Sequence, residues 1–284
     1  MREMAGMAGR RARRLVLAAN LLLEATGSVA DGPIRENTLV QGGHHMRSVS
    51  EQSFQALGGR WSVLARQKLD HIELDRLLDE LERASGAEQR RVLRKTYRLV
   101  FPHAFAEESV LWPVIRAMLP DGHDLTLRVE REHQEVNELV RRVDSLDDHD
   151  PERGEVLRRL ITVLRDDVRD EEDELLPRLQ EKLSVARLRS LGLAWEAVRR
   201  TAPTRAHPVV ARRPPGNVIA ALPLTVTDRL QDLLDLAALR GPSRVEPILV
   251  ETSGVLGRVA GAIEHLPVMR RGEDPSTGRG DAAA

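Results

Sequence analysis

The chain has 284 residues, with 43 Lys and Arg against 44 Asp and Glu and a formal net charge of −1. That balance leaves no bulk positive charge for nucleic acid, and the absence of cysteine excludes disulfides and thiolate metal sites. With 41% hydrophobic residues, 2% aromatics and heavy use of Leu, Arg, Glu and Ala, the composition favours an all-α globular fold.

At the N-terminus, Arg10, Arg11, Arg13 and Arg14 precede an apolar run from Leu15 to Leu23. The arrangement is superficially that of a signal peptide, with Ser28-Val29-Ala30 as a cleavage site. Asn20 interrupts the run and Glu24 ends it, far short of the roughly 20 apolar residues of a membrane span. The stretch Gln41-Gly42-Gly43-His44-His45-Met46 reads as a translated ribosome-binding sequence ahead of a start codon. Met46 is therefore the expected start, and residues 1–50 are taken as a gene-start extension or disordered tail.

Helical periodicity then takes over. A first helix from about Phe54 to Arg83 carries Leu57, Trp61, Leu64, Leu74, Leu78 and Leu81 on one stripe, with His71 inside it and a break at Gly86. A second, from about Ala87 to Met118, buries Leu93, Tyr97, Val100, Val110, Leu111 and Val114, and Pro102 is expected to kink it. Pro120-Asp121-Gly122 is a turn. A third helix over about 123–146 carries Leu125, Val129, Val136, Val140 and Val143 with His133 in the stripe, and a fourth over about 152–183 carries Leu160, Leu164, Val168, Leu175 and Leu179. Short connections between long amphipathic helices imply antiparallel neighbours, hence an up-down-up-down four-helix bundle over residues 51–183.

Within the bundle two stretches copy each other. Residues 103–113 read HAFAEESVLWP and residues 167–177 read DVRDEEDELLP. Spacing of i,i+4 places His103 over Glu107 and Asp167 over Glu171. The other two helices repeat as well, with Asp70-His71 in one and Glu132-His133 in the other, which implies a pseudo-two-fold axis. Each helix thus contributes metal-capable side chains to an apolar stripe: His71, His103 and Glu107, His133, and Asp167 and Glu171. Without metal these groups could pair as buried ion networks. A metal offsets the cost of burying unpaired carboxylates, and the repetition over four helices favours it. Glu108 and Glu172 sit about 100° round an α-helix from the ligand positions, so they are expected either behind the ligands or at the surface, with Glu108→Ala near neutral. Tyr97 is expected in the core.

At these residues, over about 66–183, the chain resembles the hemerythrin-like (HHE cation-binding) family, whose fold is a four-helix bundle around a non-haem di-iron centre. The resemblance implies that His71 and His103 ligate one iron, that Glu107 and Glu171 bridge the two, and that His133 and Asp167 ligate the other. The chain departs from the family at two places. Asp167 stands where the family usually has histidine, and Val129 stands where the oxygen carriers have a further histidine, one turn before His133. The second metal is thus poorer in nitrogen, which admits a labile ion or Mn in its place. Glu130 could supply an oxygen but is expected at the surface. Function is expected to involve O2, peroxide or NO. The alternative is a helical interaction or regulatory module, with or without metal. Whether the protein is an enzyme stays open.

The C-terminal third, residues 184–266, continues as helix to about 200 and then becomes a proline-rich basic strap over 201–217, with His207 expected exposed on it. This segment resembles the strap that follows the bundle in actinobacterial hemerythrin-domain proteins and is expected to lie against the bundle. Two further helices follow, over 223–239 and 243–265, and residues 267–284 are expected to be disordered. No membrane or nucleic-acid partner is expected, and a cytoplasmic location is.

Overall fold

The computed structural model describes residues 47–277 apart from Pro214, Gly241 and Ser243, together with all side chains in that range except those of residues 239 and 240. The expected extension and start at Met46 lie outside the described residues. Residues 47–50, assigned to that extension, instead lead into a 3-10 turn at Val49–Glu51 that buries Val49.

Helix α1 spans Val63–Arg83 and begins nine residues later than its periodicity implied. Gly58 and Gly59 are the cause. Both have positive φ, at 93° and 84°, and break the helical path. Ser62 then caps α1, its Oγ accepting the Leu64 N–H. Trp61, placed in the apolar stripe from sequence, consequently lies 47% exposed ahead of the helix.

Helix α2 spans Gly86–Ala106, passes through Pro102, and changes to a π turn at Glu107–Leu111 before continuing as α3, Trp112–Met118. Helix α4 covers Gly122–Ser145. Helix α5, Arg153–Asp170, likewise changes to a π turn at Glu171–Leu175 and continues as α6, Leu176–Lys182. Each π turn is followed within two residues by a proline, Pro113 or Pro177. A proline inside a helix donates no hydrogen bond and crowds the carbonyl four residues back, here that of Ser109 or Asp173. Widening to i→i+5 geometry relieves that conflict.

The bundle core is layered. At one end Leu74, Leu78, Leu93, Phe101, Val140 and Leu160 form an apolar cluster. At the other end Leu64, Leu111, Trp112, Ile115, Leu175 and Leu179 are buried. Residues 71, 103–108, 133 and 167–172 fall between them on all four antiparallel paths, so the polar residues form one layer between two apolar ones.

The remaining chain encloses one flank of the bundle. Helix α7, Val185–Arg200, is capped by Ser184 and packs on α1 and α2. Its Gly192 touches the backbone of Trp61 so closely that a Cβ there would lie 2.1 Å from the Trp61 carbonyl oxygen. After the strap come α8, Gly216–Arg240, and α9, Glu246–Glu264, which pair with each other. The first part of the strap is anchored to two helices, α8 and α4. Asp228 accepts the Thr204 and Arg205 N–H groups at 2.8 and 3.0 Å, and Asn137 on α4 accepts the His207 N–H at 3.0 Å. Residues 267–277 are ordered where disorder was expected: they include a 3-10 turn at Pro267–Arg270, bury Met269 and accept the Ala211 N–H at 2.9 Å. No helix of the described residues is long and apolar enough to cross a membrane.

His207 is mostly covered rather than exposed, its side chain only 10% accessible, because the strap is pressed onto α8 and α9. Its Nε2 lies 3.2 Å from Asp228 and its Nδ1 3.4 Å from Glu264. Burial opposes the charge, but the two carboxylates raise its pKa from 6.5 to about 9. A raised pKa contributes stability that is fully present below about 6.5 and is lost as pH rises through about 9. His207→Gln is therefore expected to lower stability by about 1–3 kcal/mol at pH 6, with the deficit shrinking towards pH 10. Urea unfolding of both proteins at the two pH values checks this, and a pH-independent difference would contradict it.

Candidate metal centre

The two repeated stretches deliver their carboxylates into the polar layer through the π turns. Glu107, Glu108, Glu171 and Glu172 are all buried. The expectation that the second glutamate of each pair turns away rested on α-helical rotation. In the wider π turn successive residues rotate less, and both glutamates face inward.

The pairing exchanges partners between halves. His71 on α1 is held from the second half, with Nδ1 2.9 Å from Glu172 Oε1 and Nε2 3.3 Å from Glu171 Oε2. His133 on α4 is held from the first half, with Nδ1 2.9 Å from Glu108 Oε1 and Nε2 3.7 Å from Glu107 Oε2. In both rings Nδ1 is engaged by an outer glutamate, which leaves Nε2 directed at the inner one. His103 follows the same rule: Asp70 takes its Nδ1 at 3.1 Å, and Nε2 lies 2.9 Å from Glu107 Oε1. Asp167 Oδ1 is 3.7 Å from His133 Nε2.

Ligand-capable atoms of His71, His103, Glu107 and Glu171 lie within 4.8 Å of one another, and so do those of His133, Asp167 and Glu171. All six residues singled out from sequence therefore meet in one place, as two groups that share Glu171. Several of their atoms are buried with no hydrogen-bond partner: His71 Nε2, Glu107 Oε2, Asp167 Oδ1 and Glu171 Oε1. Orphaned polar atoms on this scale are costly in a protein interior, and their convergence fits a bound cation.

Electrostatics agree with that fit. Burial pushes Asp167 well above the usual carboxylate range and raises Glu171 too, with Glu107 adding repulsion at both. Burial would also raise Glu107, but His103, His133 and His71 outweigh it and leave it lowered. Burial opposes protonation of the imidazoles, yet Glu171 and Glu172 raise His71 to about 9, and Asp167, Glu108 and Glu107 raise His133 to about 10.

Other side chains complete the surroundings. Gln67, fully buried one turn before His71, donates to Glu107 Oε1 at 2.6 Å. As a polar residue in the apolar stripe of α1 it was detectable from sequence and was missed. Trp195 on α7 meets His103 edge-on at 5.3 Å between centroids, and Trp112 stacks on His133 at 6.4 Å. Arg199 pairs with Asp70 at 3.5 Å. Glu132, adjacent to His133 as Asp70 is to His71, lies near Asp167, and burial raises its pKa.

Glu130 belongs neither to the cluster nor to the surface where it was expected. It is fully buried, with Arg213 of the strap at 2.6 Å and Arg116 at 2.5 Å neutralising it. The strap covers the face of α4 that the sequence pattern left polar. Tyr97 sits in the core as expected and donates to Asp144 at 3.3 Å. A narrow cavity beside the cluster is lined by His71, His103, His133 and Asp167 together with Leu74, Phe101 and Leu164.

Comparison with known proteins agrees with this geometry. The profile of the hemerythrin HHE cation binding domain matches residues 62–179. An uncharacterised hemerythrin-like protein of Schizosaccharomyces pombe is 25% identical over 134 residues, which are 47% of this chain and 66% of that protein. A protein named DNA nickase from Nostoc sp. is 27% identical over 118 residues, 41% of this chain and 33% of that one. The chain thus spans less than two thirds of the length of either relative. No solved structure gives a significant match.

Glu108 and Glu172 each fix a ring from the side away from the cluster, and groups in that position typically govern metal affinity by 10–100-fold. Glu108→Ala and Glu172→Ala are each expected to weaken metal binding by about that factor, in contrast to the neutrality read from helical rotation; competition titration against a chelator measures it. The raised imidazole pKa values carry a second expectation. Metal must displace the protons on His71 and His133, so affinity should rise with pH between 6 and 8, by about tenfold per unit for each proton released. A flat affinity over that range would show that the rings are already neutral.

Proposed function

Residues 62–179 of the chain belong to the hemerythrin HHE cation-binding family, and from that premise we propose that the bundle holds a pair of non-haem iron ions and acts on O2, peroxide or NO. The observation that carries this reading is the convergence of buried, unpartnered His71 Nε2, Glu107 Oε2, Asp167 Oδ1 and Glu171 Oε1. His71 and His103 would hold one ion, His133 and Asp167 the other, and Glu107 and Glu171 would serve both. Imidazole and carboxylate donors without thiolate suit iron or manganese.

When bound, such a pair supplies the redox and Lewis-acid chemistry; the chain supplies orientation, proton management and exclusion of water. Glu172, Glu108 and Asp70 hold the three rings by Nδ1, which fixes the tautomer that presents Nε2. Burial raises the pKa of both Glu132 and Asp167 at the edge of the layer. The cavity beside the rings is walled by Leu74, Phe101 and Leu164 and suits a small, weakly polar ligand.

The two halves are not equivalent. The Asp167 carboxylate is shorter than imidazole and burial pushes its pKa well above the carboxylate range, so the ion it serves should be the looser one. Glu171→Ala is expected to abolish uptake of both ions as a pair. Asp167→Ala should lose the second ion while retaining the first, and Asp167→His should tighten the second. Metal content by mass spectrometry, with the absorption spectrum of the oxidised protein, tests the set; equal stoichiometry in all variants would remove Asp167 and Glu171 from the centre.

A further inference from the structure

Three imidazoles of the layer are held by carboxylates at Nδ1, and two of those carboxylates also meet an arginine from the C-terminal third. On one side Asp70 Oδ2 lies 3.1 Å from His103 Nδ1 and 3.5 Å from Arg199 Nη1. On the other, Glu108 Oε1 lies 2.9 Å from His133 Nδ1 and 3.9 Å from Arg212 Nη1. In each case the ring and the guanidinium converge on the same oxygen. Arg199 stands in the last turn of α7 and Arg212 in the strap, so both fall outside residues 62–179, the part of the chain that the family profile matches.

Both arginines are themselves fixed. Arg212 is buried, its backbone N–H donates to the Glu273 carboxylate, and its carbonyl accepts from Asn217 Nδ2 at 3.0 Å. Its Nη2 donates to Oε1 of Gln134, the residue after His133, at 2.7 Å. The strap reaches the backbone of His133 as well: Asn137 accepts the His207 N–H at 3.0 Å and donates to the His133 carbonyl at 2.8 Å. Arg199 pairs with Glu196 at 3.2 Å and lies 5.3 Å from the centre of the Trp195 ring, the ring that meets His103 edge-on.

A carboxyl group turns broadly about its last torsion, so a hydrogen bond to one ring leaves it free to swing with that ring. An opposite charge at the same oxygen restrains the carboxylate, and through it the ring. We infer that Arg199 and Arg212 are positioning residues, each holding one imidazole of the layer, His103 or His133, through the carboxylate between them. Resting on the proposed pair of ions, this assigns one arginine to each: Arg199 to the ion of His71 and His103, Arg212 to the ion of His133 and Asp167. The C-terminal third then completes the layer that the bundle begins.

Competition titration of the full chain with iron(II) against a chelator, in the absence of oxygen, tests the assignment. Arg199→Met is expected to weaken the first ion and Arg212→Met the second, each by about tenfold and each sparing the other ion. In Asp167→Ala, expected to retain the first ion alone, Arg199→Met should still weaken binding and Arg212→Met should not. Equal loss at both ions in either variant marks a general loosening of the fold and overturns the inference. Glu108→Ala should abolish the effect of Arg212→Met, because the arginine acts through that carboxylate; an undiminished effect overturns it as well. Arg212→Lys, which keeps the charge, should recover most of what Arg212→Met loses, and no recovery would assign Arg212 to packing alone. A wild-type chain that takes up no iron would remove the proposed ion pair, and the metal-free protein then decides the inference. In its urea unfolding, Arg212→Met and Glu108→Ala should depart from additivity by at least about twofold in the unfolding constant, and additivity would show that the two side chains are not coupled.

Discussion

The structure depends on one constraint: a layer of carboxylates and imidazoles has to be buried between two apolar layers of a helical bundle. Neither charge type could be buried alone at tolerable cost. The arrangement answers this by exchange, in which the histidine of each half is gripped by the glutamate pair of the other. The grip ties α1 to the second π turn and α4 to the first, so the layer that creates the electrostatic problem also fastens the halves together. It leaves a residue of unpartnered atoms pointing at a common centre, and that residue is what a cation would satisfy.

The π turns make the exchange possible. An unbroken α-helix would turn one glutamate of each pair into the layer and the other away from it. Widening the turn directs both inward, one towards the centre and one towards the back of a ring. The prolines that follow each turn supply the local reason for the widening, since a regular helix would conflict with them. Sequence repetition, backbone irregularity and site chemistry are here one feature seen at three levels.

Symmetry ends at the outer residues. In the first half Asp70 backs His103 and is itself neutralised by Arg199 of α7, with Trp195 closing over the ring. In the second half Glu132 lies near a carboxylate, Asp167, rather than an imidazole, and burial raises the pKa of both acids. The C-terminal third therefore takes part in the centre's environment. It supplies Trp195 and Arg199 to one side, buries Glu130 under Arg213 on the other, and reaches the backbone of His133 through Asn137, which also holds His207 of the strap.

Local patterns were enough to determine the helices, their antiparallel order and the six residues of the polar layer, because 3.6-residue periodicity and i,i+4 spacing are properties of single helices. Rules confined to one helix could not determine what the second glutamates do, since that requires both a departure from α geometry and a histidine from another helix. The repeated Glu-Glu doublet and the prolines after it were visible signals whose meaning depended on the backbone change. The late start of α1 was legible in Gly58 and Gly59, yet periodicity alone ran through them. Glu130 and His207 were misplaced for a different reason: each is polar and each is covered by a partner more than 20 residues distant, Arg213 for one and Asp228 with Glu264 for the other. Burial of a charge is decided by whether an opposite charge is brought to it, and only the tertiary structure brings one.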